Sequence, residues 1–222
     1  MIKGCLFDLD GTLLDTLTSI RYYLNYVLKK HGQKEVTVEE TKLFVGKGAR
    51  NLVERALTAG GVSVSSDSGR ELLGKIHREY VDVYDEKPEY LTSPYESISE
   101  AVDFLYERGI KLAVISNKPD KTVKKLVELN FPNRFDIVEG ASEKYPLKPL
   151  SEWPLSICER LSLSPDEVLY FGDTSTDMQT AKNFGAALAV GVLWGFRDEE
   201  ELLENGADVI LSHPSEITKL LK

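Results

Sequence analysis

Residues 5–15, CLFDLDGTLLD, run from an apolar segment into two aspartates one residue apart, Asp8 and Asp10, followed at once by Gly11 and Thr12. In an extended strand, residues i and i+2 project to the same face, so the two carboxylates would crowd together where a buried strand ends. Left alone, such a pair repels and one pKa rises. A cation between the carboxylates relieves the repulsion, and so does a proton kept on one of them; both are devices of chemistry. The same residues also suit a polar turn that opens a helix near Leu13.

Outward from this stretch, β-rich runs recur at KGCLFDL (3–9), IKLAVIS (110–116), DEVLYFG (166–172), GAALAVGV (185–192) and ADVILS (207–212). Most are apolar on both faces, as in a parallel sheet covered on each side. Helical patterns lie between them. Ser97 and Glu100 spell a capping box ahead of the stripe Ile98, Ala101, Val102 and Leu105, with Gly109 as the stop. A second helix is predicted from about Pro119, carrying Val123, Leu126, Val127 and Asn130. A third follows Thr174, with Met178, Ala181 and Phe184 inward and Gly185 at its end. The alternation predicts an α/β, doubly wound parallel sheet built from residues 1–15 and 89–222. Residues 16–88 hold helical patterns and no convincing central strand, so they read as an all-helical domain inserted after the first strand. Tyr22, Tyr23 and Tyr26 within it read as packing between its helices.

The 222 residues suit one domain plus an insertion, and 42% hydrophobic with 28% charged residues describes a globular chain. A net charge of −9 argues against a nucleic-acid or membrane-surface partner, which needs a basic face. It leaves room for an anionic substrate, because local cations and N–H donors hold phosphate whatever the total charge. Cys5 and Cys158 show no metal-ligand spacing and read as core residues. The apolar run at the start is too short for a signal peptide, and no run approaches the ~20 apolar residues of a membrane helix, so a reduced, cytoplasmic setting is expected.

Ligands of an open parallel sheet bind beyond the carboxyl ends of its strands. Three polar clusters fall at such ends besides the opening one: Ser116–Asn117–Lys118, Lys148–Pro149, and GDTSTD at 172–177. Four clusters at one edge are hard to attribute to turns. Asp8, Asp10 and Asp173 supply hard oxygen ligands for Mg²⁺, with Asp177 four residues on as a water-mediated or outer partner. Ser116 and the N–H groups of Asn117 and Lys118 are placed at a helix N-terminus, where they would hold an anion. Lys148 supplies a cation for a phosphoryl group; Lys144 competes for that place, and the proline after Lys148 favours the latter. His31, His77 and His213 are scattered and exposed-looking, and no ligand or base is assigned to them.

DLDGTL at 8–13, SNK at 116–118, KP at 148–149 and GDTSTD at 172–177, in this order, resemble the haloacid dehalogenase superfamily, and within it the phosphoglycolate phosphatase-like members with a helical cap. AVGVLWGF (189–196) and ENGADVILSHPSEI (204–217) are similar to the tail of that subgroup, while PLSEWP after Lys148 departs from its usual proline spacing. The resemblance implies a Rossmann-like core and a Mg²⁺-dependent phosphomonoester hydrolase. Asp8 would be the nucleophile that forms an aspartyl-phosphate. Asp10 would protonate the leaving alkoxide and later deprotonate water, ligating the metal through its backbone carbonyl. Thr12 would position the phosphoryl group and Gly11 would permit close backbone approach. In the cap, FVGKGARN (44–51) would bring Lys47 and Arg50 to the non-transferred part of a small phosphorylated metabolite, phosphoglycolate first among them. A phosphosugar mutase or a pyrophosphatase shares these motifs, and an inactive binding module is the reading from another class. Halide displacement is disfavoured, because it needs no acid where Asp10 stands.

Overall fold

The computed structural model describes residues 1–221. Its centre is a parallel sheet of six strands in the order β5-β4-β1-β6-β7-β8. These are β1 (Gly4–Phe7), β4 (Lys111–Pro119), β5 (Ile137–Ala141), β6 (Val168–Gly172), β7 (Leu188–Val192) and β8 (Val209–Leu211). β1 lies between β4 and β6, with Phe7 opposite both Val114 and Phe171. Alternate residues of the inner strands enter two different apolar clusters. Cys5, Phe7, Leu112, Val114, Leu169 and Phe171 pack on one face, and Leu6, Ala113, Ile115 and Tyr170 on the other. Burial on both faces explains why these strands read as continuous apolar runs. Burying each large side chain among them contributes about 1.5–3 kcal/mol relative to exposure.

Helices α5 (Ile98–Glu107), α6 (Asp120–Asn130), α7 (Glu152–Leu161), α8 (Ser175–Phe184) and α9 (Glu199–Glu204) join the strands, and a 3₁₀ segment follows at Pro214–Leu221. α8 starts after Thr174 and stops at Gly185 as its sequence predicts: the Asp177 carboxylate accepts from the Thr174 N–H, and Gly185 ends the helix in the left-handed conformation. Two local expectations are corrected. Ser97 adopts φ 63° and makes no side-chain cap bond, so its capping box with Glu100 does not form. β5 was not anticipated: it is an edge strand, half-buried and interrupted by Glu139 and Gly140, which hides the apolar signature of the inner strands.

Between β1 and α5 stand four helices, α1 (Leu17–Lys30), α2 (Val38–Phe44), α3 (Ala49–Ala59) and α4 (Asp67–Glu86). They share an apolar cluster of their own that includes Leu24, Val27, Leu57, Ile76 and Tyr80, and Phe196 from beyond β7 joins it. The chain enters and leaves this unit through a short antiparallel ribbon, β2 (Leu14–Asp15) paired with β3 (Ser93–Pro94). Tyr23 is buried in the cluster, whereas Tyr22 and Tyr26 are exposed, so only the first acts as helix packing. Among the described residues no helix is long and apolar enough to cross a membrane.

Candidate active site

The strand order does the first work of assembly. Because β4 and β6 flank β1, their carboxyl ends bring Ser116 and Asp173 beside Asp8, whose N–H donates to the Phe171 carbonyl at 2.9 Å. Asp8, Asp173 and Asp177 are all buried, and one carboxylate oxygen from each lies within 4.8 Å of the others. Asp177 reaches the group from the first turn of α8, where its Oδ2 accepts from the Thr174 hydroxyl (2.6 Å) and N–H (3.1 Å). Its Oδ1 accepts from Lys148 Nζ at 2.7 Å. Both Asp177 oxygens are therefore engaged by protein donors. Asp173 is held by the Thr12 hydroxyl at 3.1 Å and by the Phe196 N–H at 2.8 Å.

Among the described residues Lys148 is the one ammonium inside this cluster, 3.0 Å from Asp8 Oδ1 and 2.7 Å from Asp177 Oδ1. Burial alone would lower its pKa, but Asp177 and Asp8 override that and hold it well above the ordinary lysine value. One cation does not balance three carboxylates. Burial, reinforced by Asp177 and Asp10, pushes Asp8 up to about 7 against the pull of Lys148, and burial together with Asp177 and Asp8 raises Asp173 as well. This surplus of buried negative charge, presented by hard oxygens, fits a divalent cation such as Mg²⁺. Asp8 and Asp173 would hold it directly, and Asp177, with both oxygens already bonded, would serve by fixing Lys148.

Asp10 stands apart from that group. Its carboxylate accepts from Lys118 Nζ at 3.1 and 3.3 Å. Asp8, Asp10, Ser116, Asn117 and Lys118 line one side of a cavity of about 60 Å³, and Val45, Gly46, Gly48, Leu52, Tyr80 and Tyr84 of the helical unit line the opposite side. The cavity thus lies between the sheet edge and the helices.

Several predicted residues are brought together here in roles that differ from the expected ones. Ser116, Asn117 and Lys118 belong to β4, upstream of α6, and do not cap that helix. The Lys118 N–H donates to Ser116 Oγ at 3.3 Å. The Asn117 side chain is committed to protein: its Oδ1 accepts from the Lys148 N–H, and its Nδ2 donates to the Lys148 and Gly46 carbonyls. It therefore ties the lysine loop to the helical unit. Thr12 spends its hydroxyl on Asp173. Gly11 is required by the same aspartate, since at φ +84° a Cβ there would lie 2.2 Å from Asp173 Oδ2. Lys144 is exposed near Glu139, whereas Lys148 is buried in the cluster. Lys47 and Arg50 are exposed and absent from the cavity lining, to which their neighbours Gly46 and Gly48 contribute instead. His31, read as exposed, is largely buried against Glu79 at 2.7 Å, and His77 is half-buried.

Other contributors were not found in the sequence. The loop after β7 folds back on the site: the Trp194 indole N–H donates to the Thr12 carbonyl at 3.0 Å, and Phe196 donates to Asp173. Gly195 between them passes so close that a Cβ would lie 2.3 Å from Asp173 Cβ. Its position just beyond the carboxyl end of a parallel strand was the available signal. Arg197 then donates to the Lys42, Leu43 and Val45 carbonyls, a second tie to the helices. The Lys118 side chain, Tyr80 and Tyr84 were missed because only the tertiary fold brings them to Asp10.

With this geometry in place, the chain can be set against known proteins. A family model described as haloacid dehalogenase-like hydrolase matches residues 5–190. The chain is 34% identical over 221 residues to a phosphoglycolate phosphatase of Aquifex aeolicus, covering 99% of this chain and 97% of that protein. It is 30% identical over 222 residues to an N-acetylmuramic acid 6-phosphate phosphatase of Pseudomonas aeruginosa, covering 99% and 95%. The crystal structure of a proposed phosphoglycolate phosphatase from Lactobacillus delbrueckii subsp. bulgaricus superposes with a TM-score of 0.90 at 30% identity, covering 99% of this chain and 98% of that one.

Proposed function

The chain belongs to the haloacid dehalogenase-like hydrolases and is a phosphatase of that family, and we propose that it hydrolyses small phosphomonoesters in a Mg²⁺-dependent reaction through an aspartyl-phosphate on Asp8. One observation carries this reading: Asp8 sits on a cavity floor in contact with the ammonium of Lys148, beside Asp173, while a second carboxylate, Asp10, faces the same cavity with a separate partner. Two carboxylates in different surroundings can divide two tasks.

Asp8 Oδ1 is held by its contact with Lys148 Nζ, so the carboxylate is oriented before substrate arrives. Attack on phosphorus forms the new P–O bond to Asp8 as the ester P–O bond breaks, and the leaving alkoxide takes the proton of an Asp10 that enters this step protonated. Asp10, then ionised, takes a proton from the water that cleaves the acyl phosphate and regenerates Asp8. Lys148 stays between Asp8 and Asp177 throughout and meets the charge of the phosphoryl oxygens. Asp8 and Asp173 would hold a Mg²⁺, which would supply the charge neutralisation that keeps Asp8 ionised and offsets the charge of the phosphoryl group. The helical unit acts as a cap over the site, excluding water from one side of the cavity. Phosphoglycolate is the first substrate to test, since the relative of 34% identity is a phosphoglycolate phosphatase.

The test is a phosphate-release screen of the purified protein over phosphoglycolate, sugar phosphates, nucleotides and pyrophosphate, with Mg²⁺ and with EDTA. The reading expects turnover of small monoesters that EDTA stops. Release from pyrophosphate alone, or turnover that survives EDTA, contradicts it.

A further inference from the structure

Residues 142–151, between β5 and α7, form neither helix nor strand, so the backbone of Lys148 is placed by individual hydrogen bonds rather than by a ladder. Asn117, at the end of β4, supplies two of them: its Oδ1 accepts the Lys148 N–H at 3.0 Å, and its Nδ2 donates to the Lys148 carbonyl at 3.3 Å. The same Nδ2 donates to the Gly46 carbonyl of the helical unit at 3.2 Å. Only the amide nitrogen can meet two carbonyls and only the oxygen can meet an N–H, so the side chain has a single orientation that serves all three groups. Asn117 is buried, and a donor left without an acceptor there is costly. The helical unit also packs on this spot: a Cβ at Gly48 would lie 3.2 Å from the Asn117 carbonyl oxygen and 3.7 Å from Leu147 Cδ1, next to Lys148. Arg197 holds the residues just before, through the Lys42, Leu43 and Val45 carbonyls. The other tie to the lysine loop, from Asn183 of α8 to the Pro149 carbonyl at 2.8 Å, involves no residue of the helical unit.

We infer that Asn117 is a positioning residue that couples the helical unit to Lys148, so that the ammonium is fixed between Asp8 and Asp177 only while residues 45–48 lie against the sheet edge. When those residues withdraw, the Nδ2 donor that met Gly46 must turn to find another acceptor. Turning a planar amide also breaks its bonds to the Lys148 N–H and carbonyl, because one rigid group makes all three. The effect is reciprocal: a loop with Lys148 in place favours the closed position of the helical unit. The catalytic consequence rests on the phosphatase reading of the same site. The cation that orients Asp8 is then secured in the same step that excludes water from the cavity, and an open site holds it loosely.

Amide hydrogen exchange of the ligand-free full chain, read by mass spectrometry, tests the coupling without turnover. Arg197→Ala releases the Lys42, Leu43 and Val45 carbonyls and removes no bond of Asn117 or Lys148. It should speed exchange in residues 41–48 and, by about tenfold, in residues 142–151, as expected within one hydrogen-bond network, while α5 keeps its wild-type rate. In Asn117→Ala the loop should already exchange fast, and adding Arg197→Ala should change it by less than about twofold. An asparagine that merely supports the loop would leave the Arg197→Ala effect equal in both backgrounds. That result, or a loop that ignores Arg197→Ala while residues 41–48 respond, overturns the inference. If residues 41–48 do not respond, Gly48→Ala, which drives a Cβ toward the Asn117 carbonyl at φ +84°, loosens the same contact from the other side and decides on the same terms. If thermal melts show that Asn117→Ala does not fold, the single variants decide, and an unchanged loop overturns the inference. Turnover is measured on the same proteins. Asn117→Ala should lower kcat about tenfold with a smaller change in KM, since Lys148 acts on Asp8, and an unchanged kcat overturns the catalytic consequence. Coupled exchange in a protein that hydrolyses no ester refutes the phosphatase reading and sustains the coupling; turnover with uncoupled exchange does the reverse.

Discussion

Replacing Asp8 by Asn should abolish turnover and, in the absence of metal, make the protein more stable. Asp8 is buried, and its pKa rises from the ordinary 3.8 to about 7, chiefly through burial and then through Asp177. Between those values the unfolded chain has released a proton that the fold still holds, so this group lowers stability as pH rises through that window, and the penalty is constant above it. The gap from 3.8 to about 7 is worth about 4 kcal/mol. An amide of the same shape keeps an oxygen for Lys148 Nζ and carries no charge, so near pH 8 a gain of about 2–4 kcal/mol is expected, or roughly 5–15 °C in Tm for a chain of this length. Near pH 5 the gain should shrink to about 1–2 kcal/mol, because folded Asp8 is then protonated. Saturating Mg²⁺ should narrow or reverse the difference, since a cation bound by the wild type at a hundredfold excess over its Kd contributes about 2.7 kcal/mol. Calorimetric melts of both proteins at the two pH values, with EDTA and with Mg²⁺, measure all four quantities. An Asp8→Asn protein no more stable than wild type near pH 8 in EDTA, or a gain that does not fall with pH, refutes the argument from crowded carboxylates.

Lys148→Met should act in the opposite sense, leaving Asp8 and Asp177 buried without their cation and lowering stability by about 3–5 kcal/mol, read from the same melts. Asp10→Asn should slow phosphorylation of the enzyme more with alkyl than with aryl phosphates, whose leaving groups need less help; equal losses along a leaving-group series would remove its acid role. Gly195→Ala drives a Cβ against Asp173 and should weaken Mg²⁺ binding roughly 10- to 100-fold by calorimetry. Arg197→Ala cuts the tie to the Leu43 and Val45 carbonyls, at 3.3 and 3.2 Å, and should raise KM by roughly tenfold with a smaller change in kcat.

What was legible in the sequence was local. Asp8, Ser116 and Asp173 each end an apolar run, so strand topology alone predicts that they meet. Asp177 follows from its position in the first turn of α8, and Lys148 from the proline beside it. The inner strands were plain because both their faces are apolar, whereas β5 was hidden by its edge position. The ownership of hydrogen bonds was not legible. Asn117 and Thr12 have the right chemistry for phosphate, yet their side chains serve Lys148, Gly46 and Asp173, partners distant in the chain. Lys118 and Tyr84 meet only because α4 packs over the end of β4, and no spacing in the sequence encodes that contact. The same reason explains Lys47 and Arg50: glycines bend the segment toward the site, but backbone, not the charged side chains, faces the cavity.

The most direct test of the central claim is to trap the phosphorylated enzyme. Protein mixed with Mg²⁺ and phosphoglycolate, or another monoester found in the screen, is quenched in acid during turnover, reduced with borohydride and digested for mass spectrometry. An acyl phosphate on an aspartate is converted to homoserine, and the expected product carries homoserine at position 8 and aspartate at position 10, with no conversion in the Asp8→Asn protein. Steady turnover with no conversion at Asp8 at any quench time, or conversion at Asp10 instead, would contradict the assignment of Asp8 as the nucleophile.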